Sequence, residues 1–284
     1  MKGIQEMKQI QQFEQYLQKE NLSVSTIKAY RYSVCLYLNL YQEITLETLN
    51  SYKAYLRLHY RPASVNQKIC GINRYLRYLS STTAFHDDLL PGYQLSTVRL
   101  QGFMTDERII SNREYKRLKR CLKRDGNTQW YLVVCFLAGT GARISELLKT
   151  RVDHLKCGYM DLCTKGGKIR RIYIPEIICQ ETLKWCNQIN RTSGFVFRNR
   201  SNRQITDRGI RWKLKELARK YNIDVNVVYP HSFRHRFAQN FLQRFHDITL
   251  LADLLGHESI ETTRIYLIRS AEEQRKIIDE KIIW

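Results

Sequence analysis

The sequence predicts a mainly α-helical protein of two domains, with a small antiparallel β-hairpin interrupting the helices of the second domain. Three observations support this prediction. Apolar residues recur at helical spacing through the first ninety residues. The segment Lys165-Gly166-Gly167-Lys168 separates two runs that alternate or are β-branched, which is a hairpin signal. With 284 residues, the chain is long enough to bury two cores.

The first domain, residues 1–95, is expected to contain four helices. Ser23 and Thr45 can each cap a helix, because a hydroxyl side chain accepts hydrogen bonds from the free amides of the first turn. The helices are predicted at 7–20, 24 to about 40, 46–58 and 63–79. The stretch 80–107 has no sustained period and holds Pro91-Gly92, so it predicts a linker, of which residues 96–107 separate the domains.

The second domain, residues 108–284, begins with a capping box formed by Ser111 and Glu114, ahead of a basic helix to about Arg124. The hairpin strands are predicted at 159–164 and 169–174. The other helices are predicted at about 129–138, 176–190, 207–221, 230–245, 248–255, 259–267 and 271–281.

The charge of the chain indicates a polyanionic partner. There are 47 Lys and Arg against 27 Asp and Glu, a net charge of +20. Residues 1–95 hold 11 basic and 7 acidic side chains, which leaves 36 and 20 for residues 96–284, so the second domain carries most of the excess. Nucleic acid is favoured over a membrane surface. The alternative is a merely soluble basic protein.

The cysteines and the N-terminus indicate where the protein works. Eight cysteines without a CxxC pair, mostly among apolar neighbours, predict buried free thiols in a reducing compartment. The N-terminus lacks the apolar stretch of a signal peptide, and the longest apolar run, 130–138, is too short to span a bilayer. A cytoplasmic protein is therefore expected, and with nucleic acid as its favoured partner it is expected at the nucleoid.

Phosphodiester chemistry without a metal is compatible with the residues present. The sequence has no Walker loop, GxGxxG, paired Asp cluster or His/Cys ligand spacing. A side-chain hydroxyl can instead attack the phosphorus, provided that guanidinium groups hold the non-bridging oxygens and an acid protonates the leaving alkoxide.

Several residues have the right chemistry for such a site. Arg143 follows a glycine-containing turn at the start of a short helix. His231 and Arg234 are three residues apart on one predicted helix. Leu255-Gly256-His257 comes later, and Tyr266 follows nine residues after His257. Taken singly, each is ordinary: a surface arginine, a helix-end histidine, or one packing tyrosine among 18.

In this order the residues resemble the tyrosine recombinases of the phage integrase family. The family pattern is an Arg in a G-x-R-x-S-E-L-like turn, a Lys in a β-hairpin, H-x-x-R on a helix, and then L-G-H with a Tyr nine residues on. The matching residues are Arg143, Lys165, His231, Arg234, His257 and Tyr266. The His that often follows the tyrosine by two positions in the family is Ile268 here.

The resemblance covers essentially the whole chain and implies a tyrosine-recombinase fold. Residues 1–95 are similar to the family's core-binding, SAM-like domain, and residues 108–284 to its catalytic domain with a tail from about 270. It implies that Arg143 and Arg234 clamp the scissile phosphate while His231 and His257 hydrogen-bond it and assist proton movement. Glu146 beside Arg143 is interpreted as a structural orienter and not an acid.

By the same resemblance, Tyr266 forms a 3′-phosphotyrosyl intermediate, and Lys165 is preferred over Lys168 as the general acid for the 5′-oxygen. No cofactor, ATP or metal is required. The implied partners are double-stranded DNA with an inverted-repeat site and a homotetramer on two such sites, with no membrane. Integration, excision, inversion and dimer resolution are equally compatible with these residues.

Two other functions stay open at this point: a DNA-binding relative without activity, and a type IB topoisomerase that nicks and closes one duplex as a monomer. The apolar tail from 270 to 284, with Ile277, Ile278 and Trp284, either packs on its own domain or docks on a neighbouring subunit.

Overall fold

A computed structural model describes residues 2–82, 93–99, 109–163, 169–257, 259–267 and 279. The chain forms two compact units, Met1–Phe103 and Met104–Trp284. Helices dominate both, and the described residues include one sheet, of two antiparallel strands. The predicted fold class is thereby confirmed. None of the described helices is both long and apolar enough to cross a membrane.

The first unit contains four helices: α1 (Lys2–Lys19), α2 (Val24–Leu40), α3 (Leu46–His59) and α4 (Pro62–Ser81). Ser23 and Thr45 cap α2 and α3, as the sequence predicts. The core is rich in aromatic rings, and Phe13 meets Tyr75 edge-on with ring centroids 5.0 Å apart.

Residues 93–99, within the stretch predicted as linker, lie along α4. The side chain of Asn73 both donates to the carbonyl of Leu95 and accepts from its amide, each at 2.9 Å. Asn66 makes the same pair of bonds to Val98, at 2.9 and 2.8 Å. The two asparagines therefore extend the packed unit past residue 95 by satisfying the backbone of a segment that has no strand partner.

The second unit begins with helices and one hairpin. Its elements are α5 (Asn112–Arg124), α6 (Thr128–Thr140), α7 (Ile144–Leu147), α8 (Val152–Cys157), β1 (Tyr159–Cys163), β2 (Ile169–Tyr173), α9 (Glu176–Gln188), α10 (Asp207–Lys220), α11 (Pro230–Phe245), α12 (Ile248–Leu255), α13 (Glu261–Arg264) and a 3₁₀ turn, Ile265–Leu267.

Helix α6 is the centre of this unit. Its residues 132–137 are all buried, so it has no solvent face and packs against α5, α9 and α11. A second, smaller apolar cluster lies between α11 and α12 and includes Ala238, Leu242, Leu251 and Leu255. Helix α11 touches both cores, because Phe233 is buried in the larger one. This helix therefore fixes the smaller cluster relative to α6.

The hairpin has the antiparallel register Tyr159 with Tyr173 through Cys163 with Ile169. Along β2 the side chains alternate, so that Arg170 and Ile172 point inward while Arg171 points outward. A buried arginine on an inward position is unusual, and it lies next to the candidate site.

Two sequence-based expectations differ from the structure. Helix α8 was not predicted, because six residues are too few for a helical period to show. All eight cysteines are free thiols, but the prediction that they are buried is wrong for Cys70, Cys157 and Cys163, which are exposed, while Cys35 and Cys121 are partly buried. The three exposed cysteines lie on outer faces of α4, α8 and β1.

Candidate active site

A tight turn delivers Arg143 to the site. Helix α6 ends at Thr140, and the next residue, Gly141, has a φ of +61°, which is left-handed and favours glycine. A Cβ there would lie 2.6 Å from Cδ1 of Phe237, so the position also needs the missing side chain. The hydroxyl of Thr140 accepts from the amide of Ala142 at 3.1 Å. The turn therefore fixes Arg143 as the first residue before α7.

Glu146 holds Arg143 from two sides. Its Oε2 accepts from the backbone amide of Arg143 at 2.6 Å, and its Oε1 accepts from Nη1 of the Arg143 side chain at 3.0 Å. The same Oε1 also accepts from Nη1 of Arg170. The Glu146 side chain is 11% exposed, and both of its oxygens accept hydrogen bonds from protein donors. This agrees with its interpretation as a residue that orients Arg143.

The side chain of Arg143 has one bound side and one open side. Its Nη1 and Nη2 approach the carbonyls of Leu255 and Gly256 at 3.5 and 3.3 Å. The side chain is nevertheless 41% exposed. Arg143 can therefore present charge to an anion while its position is held from behind.

Arg234 lies deeper. Its Nη1 donates to the carbonyl of Gly141 at 2.8 Å and its Nη2 to that of Leu255 at 2.7 Å. The residue is 1% exposed. Burial and then the neighbouring charges of Arg143 and Arg170 lower its pKa to about 10, which still leaves it a cation at neutral pH.

His257 is held as a neutral ring. Its Nε2 lies 3.0 Å from Nη2 of Arg234, and its Nδ1 lies 2.7 Å from the hydroxyl of Thr263. An arginine only donates, so Nε2 accepts and Nδ1 carries the proton. Burial, with the charges of Arg234 and Arg143, lowers the pKa of His257 to about 4.

Tyr266 lies on the 3₁₀ turn against two histidines. Its ring is nearly parallel to that of His257, with centroids 6.2 Å apart, and edge-on to that of His235 at 5.1 Å. The ring of His235 in turn meets that of His231 at 4.6 Å. Of these rings, His235 is buried and His231 is exposed.

The structure thus brings together five of the six predicted residues, from four separate elements. They are Arg143, His231, Arg234, His257 and Tyr266. Lys165 and its alternative Lys168 lie outside the described residues, as does the tail from 270 to 284 apart from Asp279.

Three residues of this cluster were not predicted from the sequence: Arg170, His235 and Thr263. Arg170 could have been flagged by its inward place in the alternating pattern of β2. His235 follows Arg234 directly, and one turn of helix separates it from His231. Nothing in the sequence marks Thr263 as the partner of His257. Among the residues that the structure describes, no three His, Cys, Asp or Glu side chains are grouped so as to hold a metal ion.

Comparisons with known proteins identify the family to which the chain is similar. Residues 108–273 match the family model described as the phage integrase family. The tyrosine recombinase XerA of Pyrococcus furiosus is 27% identical over 280 residues, which cover 95% of this chain and 92% of that protein.

Solved recombinase structures share the fold. The XerH recombinase bound to a palindromic difH substrate has a TM-score of 0.70 at 15% identity, covering 90% of this chain and 78% of that one. A lambda integrase tetramer bound to a Holliday junction has a TM-score of 0.71 at 13% identity, covering 92% and 76%.

Proposed function

The chain belongs to the phage integrase family and is a tyrosine-type site-specific recombinase, and we propose that Tyr266 is the nucleophile that cuts and rejoins the DNA strand. The observation that carries the proposal is the position of Tyr266, whose ring lies against His257, a histidine bonded to Arg234. A hydroxyl, a neutral imidazole and guanidinium groups are thereby gathered in one place, as attack on a phosphodiester requires.

In the proposed reaction Arg143 makes the first contact with the scissile phosphate, because its side chain is open to solvent. Arg234 adds positive charge from beneath while its own nitrogens stay bonded to carbonyls. Charge developing on the non-bridging oxygens is then stabilised by groups that are already fixed.

The proposed reaction exchanges one phosphate ester bond for another. The hydroxyl oxygen of Tyr266 attacks phosphorus, the bond to the 5′-oxygen breaks, and a 3′-phosphotyrosyl ester forms. The tyrosine proton passes to an imidazole, that of His231 or that of His257, of which His257 is held as a neutral ring. The 5′-oxygen takes a proton from Lys165. A 5′-hydroxyl of a partner strand reverses the step, so no external energy source enters.

We propose double-stranded DNA with an inverted-repeat site as the substrate and a homotetramer on two sites as the active assembly. The palindromic substrate of XerH and the tetramer of lambda integrase support this proposal. The net charge of +20 supports it as well. Residues 1–95 would serve as the core-binding domain, residues 108–284 as the catalytic domain, and the nucleoid in the cytoplasm as the place of action.

An inactive DNA-binding relative and a type IB topoisomerase are not favoured, since relatives that match along 95% of the chain are named tyrosine recombinases. Two paired sites on separate plasmids distinguish these functions. A recombinase exchanges the flanks between the plasmids, whereas a topoisomerase only relaxes supercoils.

Covalent capture on nicked DNA tests the role of Tyr266. Tyr266→Phe removes one hydroxyl and leaves the arginines in place, so DNA binding should persist while the denaturing gel shows no protein–DNA adduct. Tyr159→Phe, in the same unit, is the matched control and should form the adduct at the wild-type rate. EDTA should have no effect. An adduct with Tyr266→Phe, or activity that EDTA abolishes, would contradict the assignment.

A further inference from the structure

Arg170 is a buried cation that the proposed reaction does not use. Its side chain is 5% exposed, against 41% for Arg143. Its Nη1 donates to the carboxylate of Glu146, and its Nη2 donates to the carbonyl of Leu254 at 2.9 Å. Arg170 therefore meets protein acceptors on the inside of the site and has almost no surface to offer a phosphate.

The backbone beside Arg170 is shaped to admit it. Gly256 has a φ of +61°, and a Cβ at that position would lie 2.2 Å from Cδ of Arg170. The glycine of the Leu255-Gly256-His257 segment thus makes room for the stem of the arginine. The carbonyl of Gly256 also accepts from Nη2 of Arg143. The same turn therefore contacts both Arg143 and Arg170.

Arg170 and Arg143 share one carboxylate oxygen, Oε1 of Glu146. With both arginines present, the three side chains carry a net charge of +1. Without Arg170 the net charge is zero, and Oε1 of Glu146 accepts from the Arg143 side chain alone. Arg143 would then be drawn towards the carboxylate, and less of its charge would reach an anion on its open side.

We propose that Arg170 is a positioning residue for the scissile phosphate: it occupies Glu146 so that Arg143 keeps an unneutralised charge facing the DNA. The inference rests on the proposed function of the site. Arg170 is also the second residue of β2, so the same contact holds the base of the hairpin against α7 and the end of α12.

A substrate without charge on the scissile group separates this role from a merely structural one. In a methylphosphonate linkage one non-bridging oxygen is replaced by a methyl group, so there is little anionic charge for Arg143 to meet. Strand cleavage is measured in a single turnover with DNA saturated by the full-length protein. Each variant is compared with the wild type on the ordinary and on the methylphosphonate linkage.

Arg170→Gln should slow cleavage of the ordinary linkage on the order of 10²-fold, and cleavage of the methylphosphonate less than about tenfold. Arg170→Lys keeps the charge beside Glu146 and should recover part of the loss. Arg171→Gln is the matched control, because Arg171 is the next residue on β2 and faces outward, where it pairs with Asp161 at 2.8 Å. It should cleave both linkages at the wild-type rate.

Equal fractional losses on the two linkages would overturn the inference, and so would wild-type cleavage by Arg170→Gln. If Arg170→Gln does not fold, Arg170→Lys is tested in the same way. Its cleavage rate, relative to the wild type, should then be reduced more on the ordinary linkage than on the methylphosphonate, and equal reductions would overturn the inference. Failure of the wild-type chain to form any adduct would instead overturn the proposed function.

Discussion

Arg234 donates a hydrogen bond of 3.0 Å from Nη2 to Nε2 of His257. The bond exists only while Nε2 is unprotonated, since an imidazolium would set two donors against each other. The charge of Arg234 and the burial of the ring therefore act in the same direction, and both keep His257 neutral. This neutral state gives the site a dependence on pH.

Protonation of His257 should destabilise the folded chain in acid. Its pKa is lowered from 6.5 to about 4, so below pH 6.5 the unfolded chain takes up a proton that the folded chain refuses until about pH 4. Stability is therefore lost as the pH falls through this window. For a part-exposed ring we expect a loss of about 1–2 kcal/mol.

Urea titrations of the wild type and of His257→Gln test this expectation. Between pH 7 and pH 4.5, the unfolding free energy of His257→Gln should fall by about 1–2 kcal/mol less than that of the wild type. His59→Gln is the control and should lose as much as the wild type; an equal loss in His257→Gln would refute the prediction.

Gly256→Ala should destabilise the protein more than Gly158→Ala. Both glycines have positive φ, +61° and +79°, so alanine meets a similar backbone strain at each, about 1–2 kcal/mol. A methyl group at Gly158 would have no atom within 4 Å, whereas at Gly256 it would displace Arg170. We expect this displacement to cost about 1–3 kcal/mol more. Thermal denaturation measures the difference, and equal losses of Tm would show that Arg170 moves aside freely.

Lys165→Ala should be slow on ordinary DNA and largely rescued when sulfur replaces the leaving 5′-oxygen, because a thiolate departs without a proton. Arg143→Ala should not be rescued, since its role is at the phosphate. The rate of adduct formation on the two linkages is the measurement. Rescue of Lys168→Ala in place of Lys165→Ala would exchange the roles of the two lysines.

DNA binding should weaken steeply with salt, because each phosphate contact releases about 0.9 of a counterion from duplex DNA. We expect both units to contribute such contacts. In fluorescence titrations, a fragment that ends near Asp106 and one that begins there should each show weaker binding and a shallower salt slope than the whole chain. If either fragment binds the duplex as tightly as the intact protein does, the prediction that both units contact the DNA is wrong.

Local signals predicted the helices well where the chain carries caps. Helix α11 covers the predicted residues because Pro230 suits a first helical turn, and α12 does so because Asp247 caps it and Gly256 ends it. The predicted helix at 259–267 is in fact α13 followed by a 3₁₀ turn. The 3₁₀ turn packs against α11, a contact between distant segments that no local pattern records.

Five of the proposed site residues were predicted from their order in the chain, and in the structure they lie close to one another. The partners of these residues were harder to predict, because they come from distant segments. Arg170 reaches Glu146 across 24 residues and Leu254 across 84. Hydrogen bonds of this range follow from the tertiary fold and leave no spacing in the sequence to read.

Arg143, Arg170 and Arg234 donate mostly to main-chain carbonyls. These carbonyls belong to Gly141, Leu254, Leu255 and Gly256. A carbonyl survives every side-chain substitution, so point mutations remove these contacts only by changing the course of the backbone. Gly141 and Gly256 are the residues on which that course depends. In a random screen for loss of recombination, these two glycines should therefore be recovered as readily as the arginines, and leucine-to-methionine changes at 254 and 255 should be nearly silent.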